Sequence, residues 1–491
     1  MGSLIEASPA LTCASTPLQN NKVGQYFEST TPIHEYPSLP NDILYDIFDY
    51  YLREQDDEIR KPSPESNPDS ITKLWSTLRS LLFLSRRFYL VVRPFLYHTI
   101  CLSNRVDIEK LYNTIRANGS IGEHVKSLLF IEPTDVTIPP KTTDPTPDLL
   151  CVVPNRSIRN WDPAQHSTAL QLVFILYHLD NLRYFRFLSR GRFARFRVQP
   201  TFICYFNRLA LRGGYQPLLA SLEEVDLSGI VYPEQGALLH ALVFRPNLQS
   251  LSLSGSAPEL RIYYGPPHPR ICSIRKLTIT NPTALTDAST LVSLPTALEA
   301  LNIHTCARLF FYPAAQRDLE ATLKTQTSNL KELHLTTHCA TAPNPNDILS
   351  EPYTPYLLSS YLPHLRALSI PPFLYEHNRN NLGIREGISA TLPTDLRELT
   401  LSTWFCPDLA PDLITQIAAG SAAAAPKLER IVLGDMQGWA RWGVPHMEDF
   451  TAVQEVCFAH GIRLVYRDDS RFSRANAPSW CGVCRYMSSA R

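Results

Sequence analysis

The sequence has little that would place it in a membrane or on a secretory route. It contains no apolar run of about eighteen residues, the length that marks a candidate membrane-spanning helix. Its beginning lacks a basic stretch followed by an apolar core, so no secretory signal is predicted. Its eleven cysteines, from Cys13 to Cys484, do not form the dense framework of a disulfide-rich domain. We therefore expect a soluble protein of the cytoplasm or the nucleus, with no membrane partner.

An excess of charge of one sign is also missing. Lys plus Arg and Asp plus Glu both number 46, so the whole chain presents no net field that would attract nucleic acid. Of its 491 residues, 44% are hydrophobic and 19% are charged, which is enough apolar material for a sizeable core. We expect a folded protein without a nucleic-acid partner.

Local catalytic signatures are absent from the sequence. There is no glycine-rich phosphate loop, no G-x-S-x-G turn and no H-E-x-x-H helix. A triad built from distant residues would leave no such spacing, and the fourteen histidines keep an enzyme with a rim site open as an alternative. We expect a non-enzyme with no catalytic residues and no cofactor.

A short helical module is predicted after a polar tail at 1–36. From Leu39, the segment LPNDILYDIFDYYL places its apolar residues on one helical stripe. The charged, proline-broken stretch 53–70 is predicted to be an exposed loop, and a second helical pattern follows until Pro94 is expected to end it. These signals define a module at 37–103.

The order of residues in this module resembles the F-box motif. It comprises Leu39-Pro40, Ile43-Leu44 and Ile47-Phe48, then Leu84-Ser85-Arg86-Arg87-Phe88 and Pro94-Phe95-Leu96-Tyr97. The resemblance implies that the module docks on the Skp-type adaptor of a cullin-RING ubiquitin ligase, whose chemistry occurs on other subunits. The residues expected at that contact are Leu39, Pro40, Ile43, Leu44, Leu81, Leu84, Val92, Pro94 and Leu96.

Beyond the module, the pattern Leu-x-x-Leu-x-Leu recurs along the chain. Its spacing predicts a short strand with alternate apolar residues on one face. The copies start 24 to 35 positions apart, at Leu222, Leu248, Ile274, Leu298, Leu330, Leu365, Leu396 and Leu428, with weaker copies at Val125 and Leu182. Intervals of that length accommodate a strand and a helical return.

Helical patches between the copies, such as the one starting at Asp412, predict alternating strands and helices and hence a parallel sheet. This array resembles the leucine-rich repeat family over residues 120–470, with a flexible tail at 471–491. The predicted fold class is therefore α/β, a small helical module followed by an irregular leucine-rich-repeat-like solenoid with a parallel sheet.

Residues between the buried leucines of each copy must point away from the core, and they are the expected binding face for a protein client. The predicted client-binding residues are Glu224, Asp226, Lys276, Asn302, His304, Glu332, His334 and Glu398, together with Thr278, Thr400 and, from a weaker copy, Tyr184 and Arg186. The expected function is substrate recognition within a ligase. A repeat scaffold acting outside a ligase is the alternative.

The richest local charge lies at 182–200, where arginines such as Arg190 and Arg195 interleave with phenylalanines. That combination suits single-stranded nucleic acid or a phosphorylated peptide. Strand alternation explains Phe185 and Phe187 equally well, and we favour a repeat strand with buried aromatics and solvated arginines.

Cys481 and Cys484 form a C-x-x-C pair, which is half of a structural zinc site. No second such pair exists, and His446, Cys457 or His460 would contribute only if the tail folded back. We expect no bound metal.

Overall fold

The computed structural model describes residues 39–60, 76–81, 85–131, 168–188, 219–227, 238–239, 242–243, 245–254, 272–280, 285–305, 313–337, 362–370, 392–402, 410–434 and 449–467. In these residues helices alternate with strands of one parallel sheet, which confirms the predicted α/β class. The tails predicted at 1–36 and 471–491 lie outside them.

Two helices and a helical turn form the first part of the described chain. Helix α1 spans Asn41–Arg60, the turn occupies 76–81, and helix α2 spans Arg86–His98. Ser85 caps α2, because its hydroxyl accepts a 3.1 Å hydrogen bond from the Phe88 backbone N–H. Apolar side chains of all three elements meet in a small core of their own, which consists of Leu44, Phe48, Leu78, Val91 and Val92.

Two boundaries in this region differ from the prediction. Residues 53–60 of the loop expected at 53–70 are helical, since α1 continues to Arg60, and residues 61–70 lie outside the described ranges. Residues 53–60 contain no proline or glycine and are compatible with a helix, whereas the first proline comes at Pro62. Pro94 lies inside α2 instead of ending it. The hydrogen bond that the proline removes is offset by Phe95 and Leu96, the next two residues, which pack against the small core.

The strands of the sheet follow one another in space as they do in sequence. Within the described residues there are twelve, all paired in parallel in the order β1 to β12. They are β1 Thr99–Leu102, β2 Ser127–Ile131, β3 Tyr184–Leu188, β4 Glu224–Asp226, β5 Ser250–Ser254, β6 Lys276–Thr280, β7 Ala300–Thr305, β8 Glu332–Thr337, β9 Ala367–Ile370, β10 Glu398–Ser402, β11 Arg430–Gly434 and β12 Arg463–Arg467.

All ten predicted copies, including the weaker ones at Val125 and Leu182, are followed by strands of this sheet. The repeat array is therefore confirmed as a parallel-stranded, solenoid-like arrangement. Its start was misplaced, because β1 follows α2 directly at Thr99, inside the predicted module and before residue 120. Two positions before β1, Tyr97 stands where the other copies have Leu, Ile or Val, so the pattern did not reveal this strand.

Helices return the chain between strands, as parallel pairing requires. They are α3 Arg105–Ala117, α4 Thr168–Tyr177, α5 Leu285–Ser293, α6 Pro313–Lys324, α7 Ala410–Ala424 and α8 Asp449–Ala459, with a 3₁₀ helix at Gly119–His124. The patch predicted from Asp412 is α7. Strand leucines such as Leu333 and Leu335 and helix residues such as Ile414 and Ile417 are completely buried in one continuous core. That core runs the length of the sheet.

Backbone hydrogen bonds fix the register at the beginning of each strand. The Glu299 carbonyl accepts from the N–H groups of Lys331 at 2.8 Å and of Glu332 at 3.0 Å. The same pair of hydrogen bonds recurs from repeat to repeat. We call the residues whose carbonyls accept such a pair, together with Glu429, whose carbonyl accepts from Arg463, the strand-start row: Lys126, Arg183, Glu223, Gln249, Arg275, Glu299, Lys331, Arg366, Arg397 and Glu429.

Candidate functional site

The outer side of α1 carries exposed apolar side chains. Leu39 is 51% exposed, Ile43 42%, Ile47 49% and Tyr50 73%. Their spacing of four, four and three positions keeps them along one side of the helix and its approach. We call these four residues the module face. Tyr89 and Leu90 of α2 are exposed as well, so the small core leaves much apolar surface uncovered.

Contacts between α1 and α2 hold the module face in place. The Arg87 guanidinium donates to Asn41 Oδ1 at 2.6 Å and also to the Leu39 carbonyl. The rings of Tyr45 and Phe48 lie 5.7 and 5.6 Å from that of Phe95. The start of α1 is thus tied to α2 by both polar and aromatic contacts.

The residues predicted to contact an adaptor have different environments. Leu39, Pro40 and Ile43 are exposed, whereas Leu44 and Val92 are buried in the small core. Leu81 and Leu96 pack against that core, Pro94 is half-buried, and Leu84 lies outside the described residues. Tyr50, Tyr89 and Leu90 were not predicted. Both sides of α1 carry apolar residues, so the sequence did not reveal which side faces solvent.

The residues predicted for a client lie along the strands in aligned rows. In the register of the sheet, Thr278 lies beside Asn302 and Asn302 lies beside His334, on neighbouring strands about 4.8 Å apart. A parallel row contains Glu224, Lys276, Glu332 and Glu398, and a third contains His304. We call these the outer rows. They alternate with the buried leucines, as the pattern predicted.

Hydrogen bonds cross the outer rows between repeats. His304 Nδ1 and Thr336 Oγ1 are 2.8 Å apart, and the Asn302 amide donates to Thr278 Oγ1 at 3.3 Å. Glu398 forms an ion pair with Arg430. Lys276 and Glu332 are exposed. This surface can hydrogen-bond a ligand through side chains of both signs.

Asp226 differs from its neighbours in the outer rows. Its carboxylate accepts a 2.8 Å hydrogen bond from the Arg186 guanidinium, and both side chains are largely buried. The hydroxyl of Tyr184, two positions before Arg186 on β3, lies 3.4 Å from the Glu223 carboxylate. Asp226 and Arg186 therefore contribute to the packing of β3 on β4 and offer little surface to a client.

Ion pairs also link successive members of the strand-start row. Glu299 accepts from Lys331 at 2.7 Å and from Arg275 at 2.9 Å. The hydrogen bond from Lys331 lowers the pKa of the Glu299 carboxyl most, and the charge of Arg275 adds to the effect. Arg397 pairs with Glu429 at 3.5 Å. Positive and negative side chains therefore alternate along the row from Arg275 to Lys331 and again from Arg397 to Glu429.

A second ion-paired group lies one position before the first leucine of three repeats. Asp395 accepts from Lys427 at 2.5 Å and lies 3.1 Å from His364 Nδ1. The hydrogen bond from Lys427 is the main cause of a lowered pKa of the Asp395 carboxyl. The Asp395 carboxylate therefore carries its charge at neutral pH.

The cysteine pair that was considered as half of a zinc site, Cys481 and Cys484, falls outside the described residues. The residues that are described contain no cluster of three potential metal ligands. Burial raises the pKa of Cys272 to about 11 and also raises the pKa of Cys457. Such thiols are poor nucleophiles at neutral pH.

Part of the arginine-aromatic segment is strand β3. Phe185 and Phe187 are buried, as the favoured interpretation predicted, but Arg186 is ion-paired instead of solvated. The remainder of the segment, from residue 189, is outside the described ranges. None of the helices in the described ranges is both long and apolar enough to cross a membrane.

Comparison with known proteins gives a weak similarity to a solved structure. No family model matches the sequence, and no curated protein matches it. A solved structure of the leucine-rich repeat-containing protein LegL7 from Legionella pneumophila aligns with 60% of this chain and 88% of its own. The alignment has 14% identity and a TM-score of 0.34.

Proposed function

We propose that this protein is the substrate-recognition subunit of a Skp-cullin-F-box type ubiquitin ligase. Its module face binds a Skp-type adaptor, and through it a cullin, while the outer rows of the sheet bind a protein client. The protein itself performs no chemistry. The proposal places its action in the cytoplasm or the nucleus.

The observation that carries the adaptor half of the proposal is the module face itself. Four apolar side chains line one side of a helix whose other side is already buried on α2 and the turn at 76–81. Exposing such a stripe to water is unfavourable, and a partner surface that covers it recovers the hydrophobic free energy. Two of the four, Leu39 and Ile43, are among the residues at which the F-box resemblance implies the adaptor contact.

The client half rests on the outer rows. They form a polar, hydrogen-bonding surface of mixed sign that stacked repeats extend over many strands. On this surface Thr336 Oγ1 lies 2.8 Å from His304 Nδ1, a contact that joins β7 to β8, and burial raises the pKa values of the Cys272 and Cys457 thiols. Binding through complementary polar groups is the activity that this surface supports.

The proposal is tested by affinity purification of the full chain followed by detection of a Skp-type adaptor and a cullin. We expect both to co-purify, and we expect the double variant Ile43→Asp with Ile47→Asp to lose the adaptor at least tenfold, since two charges would enter an apolar contact. Val106→Asp is the matched control, because Val106 is also an exposed apolar residue of a helix, on α3.

The thermal melting temperature of the double variant and of the control should be close to that of the parent protein, because the substituted side chains are exposed. Unchanged adaptor capture by the double variant would refute the assignment of the module face. Capture of the adaptor without any cullin would favour a repeat scaffold acting outside a ligase.

A further inference from the structure

Three cations lie side by side in the strand-start row. They are Lys331, Arg366 and Arg397, which precede the adjacent strands β8, β9 and β10. Backbone hydrogen bonds connect them directly: the Arg366 N–H donates to the Lys331 carbonyl at 2.7 Å, and the Arg397 N–H donates to the Arg366 carbonyl at 2.8 Å. We call these three residues the cation row.

The outer two cations form ion pairs with carboxylates that lie outside the cation row. Lys331 forms its ion pair with Glu299 in the preceding repeat, and Arg397 forms its own with Glu429 in the following repeat. Arg366 lies between them with an exposed side chain and with no carboxylate partner in the described parts of the chain. Like charges facing each other on neighbouring strands repel, so Arg366 is held at a position that its neighbours disfavour.

An anion bound over Arg366 would relieve this repulsion. Strand spacing makes the row about 10 Å wide, comparable to the screening length in roughly 0.1 M salt, so all three charges act on one ligand group. The arginine guanidinium also presents a planar fork of donors that matches carboxylate and phosphate oxygens. The exposed side chains leave this approach open: Arg397 is 57% exposed and Lys331 45%.

The surroundings limit the size and kind of that anion. Glu299 and Glu429 close the two ends of the row, and Glu332 and Glu398 lie one position further along the flanking strands. An extended polyanion such as nucleic acid would meet these carboxylates on every side. A short group of negative charges on a protein segment fits between them.

We propose that the cation row of Lys331, Arg366 and Arg397 binds a short acidic segment of a protein client, with two or more negative charges gathered over Arg366. The inference rests on the client-binding half of the proposed function and gives that client a chemical character. The shared chemistry is that of carboxylate or phosphate oxygens, and the two sources are separated by experiment.

The test measures binding of labelled peptides to the full-length protein by fluorescence anisotropy. The probes are hexaglutamate, a neutral peptide with one phosphoserine, and hexaglutamine as the uncharged control. We expect hexaglutamate or the phosphoserine peptide to bind and hexaglutamine not to bind. Affinity should fall severalfold between about 50 mM and about 300 mM salt, because exposed charges are screened.

Variants then locate the site. Arg366→Gln should weaken binding at least about threefold, and the triple change Lys331→Gln, Arg366→Gln and Arg397→Gln at least about tenfold. Arg366→Lys should retain part of the affinity, since it keeps the charge and loses the fork. Arg275→Gln is the matched control: Arg275 belongs to the same strand-start row with an exposed side chain but lies outside the cation row.

Equal losses in Arg366→Gln and Arg275→Gln, or equal binding of hexaglutamine, would overturn the proposal. Tighter binding of an oligothymidylate of matched charge would replace the protein ligand with a nucleic acid and overturn it as well. Melting curves verify that every variant is folded. Adaptor capture is measured in parallel, so loss of the adaptor assignment and loss of the cation-row site produce different results.

Discussion

Arg186 on β3 and Asp226 on β4 face each other across the strand pair, with 2.8 Å between Nε and Oδ2. Their side chains are only 14% and 10% exposed, although both belong to the outward side of the sheet. We predict that Asp226→Ala lowers the free energy of unfolding by about 3 kcal/mol, because it leaves the Arg186 guanidinium buried without its carboxylate. Chemical denaturation measures the change.

The control for this prediction is Glu429→Ala, which breaks the more exposed ion pair with Arg397. That change should cost less than about 1 kcal/mol, since solvent screens the pair. A cost of Asp226→Ala as small as that of Glu429→Ala would show that the Arg186 pair is solvated.

Two glycines of the 3₁₀ helix Gly119–His124 provide a matched pair of substitutions. A Cβ at Gly122 would overlap the backbone carbonyl of His178, whereas a Cβ at Gly119 would have no atom within 4 Å. We predict that Gly122→Ala destabilises the protein by about 2 kcal/mol or more, because backbone must move. Gly119→Ala should be neutral or slightly stabilising. Melting temperatures that shift equally in both would contradict the close approach.

Gln326 is a buried polar residue between two repeats. Its amide donates to the carbonyls of Val292 at 3.1 Å and Pro295 at 3.0 Å, and its Oε1 accepts from the Leu298 N–H at 3.4 Å. We predict that Gln326→Leu costs about 2 to 3 kcal/mol, since it leaves buried backbone groups without partners. The exposed Ser328→Ala is the control and should change stability by less than about 0.5 kcal/mol.

The ion pair between Glu299 and Lys331 gives stability a dependence on pH. The pKa of Glu299 is lowered in the folded protein, chiefly by the hydrogen bond from Lys331. Its contribution is therefore complete above the ordinary glutamate pKa, about 4.3, and is lost as the pH falls through the lower folded value. We predict that Lys331→Met reduces stability at neutral pH and that the difference from the parent protein disappears in acid.

Unfolding measured at several pH values checks this behaviour. Lys276→Met is the control, because Lys276 is an exposed cation with no carboxylate partner among the residues the structure describes. A loss of stability in Lys331→Met that is constant from neutral pH into acid would indicate lost packing of the lysine stem instead of a lost ion pair.

Leucine periodicity predicted much of this fold, because a strand that is buried on one side must repeat apolar residues at every second position. Even the weak copies at Val125 and Leu182 lead into strands. The pattern failed where another constraint applied. Thr99 opens β1 without a leading leucine, and Pro94 continues α2 because Phe95 and Leu96 gain contacts that offset its missing donor.

The candidate sites were less accessible to sequence reasoning. Ile43 and Leu44 are adjacent and equally apolar, yet one is exposed and the other buried, since only the position of α2 decides which side of α1 is covered. Asp226 and Glu332 both occupy outward positions of their strands. The ion pair with Arg186 on the neighbouring strand nevertheless leaves Asp226 largely buried. The cation row was also missed, because its members are more than thirty residues apart and meet only through strand order.

The doubled hydrogen bonds of the strand-start row determine how the protein would respond to mechanical load. Each carbonyl of the row, except that of Glu429, accepts hydrogen bonds from two consecutive N–H groups of the next repeat. A force that draws the two ends of the sheet apart would act on all the junctions between repeats in series, and the weakest junction would rupture first. The molecule would therefore open in small successive ruptures instead of in one large event.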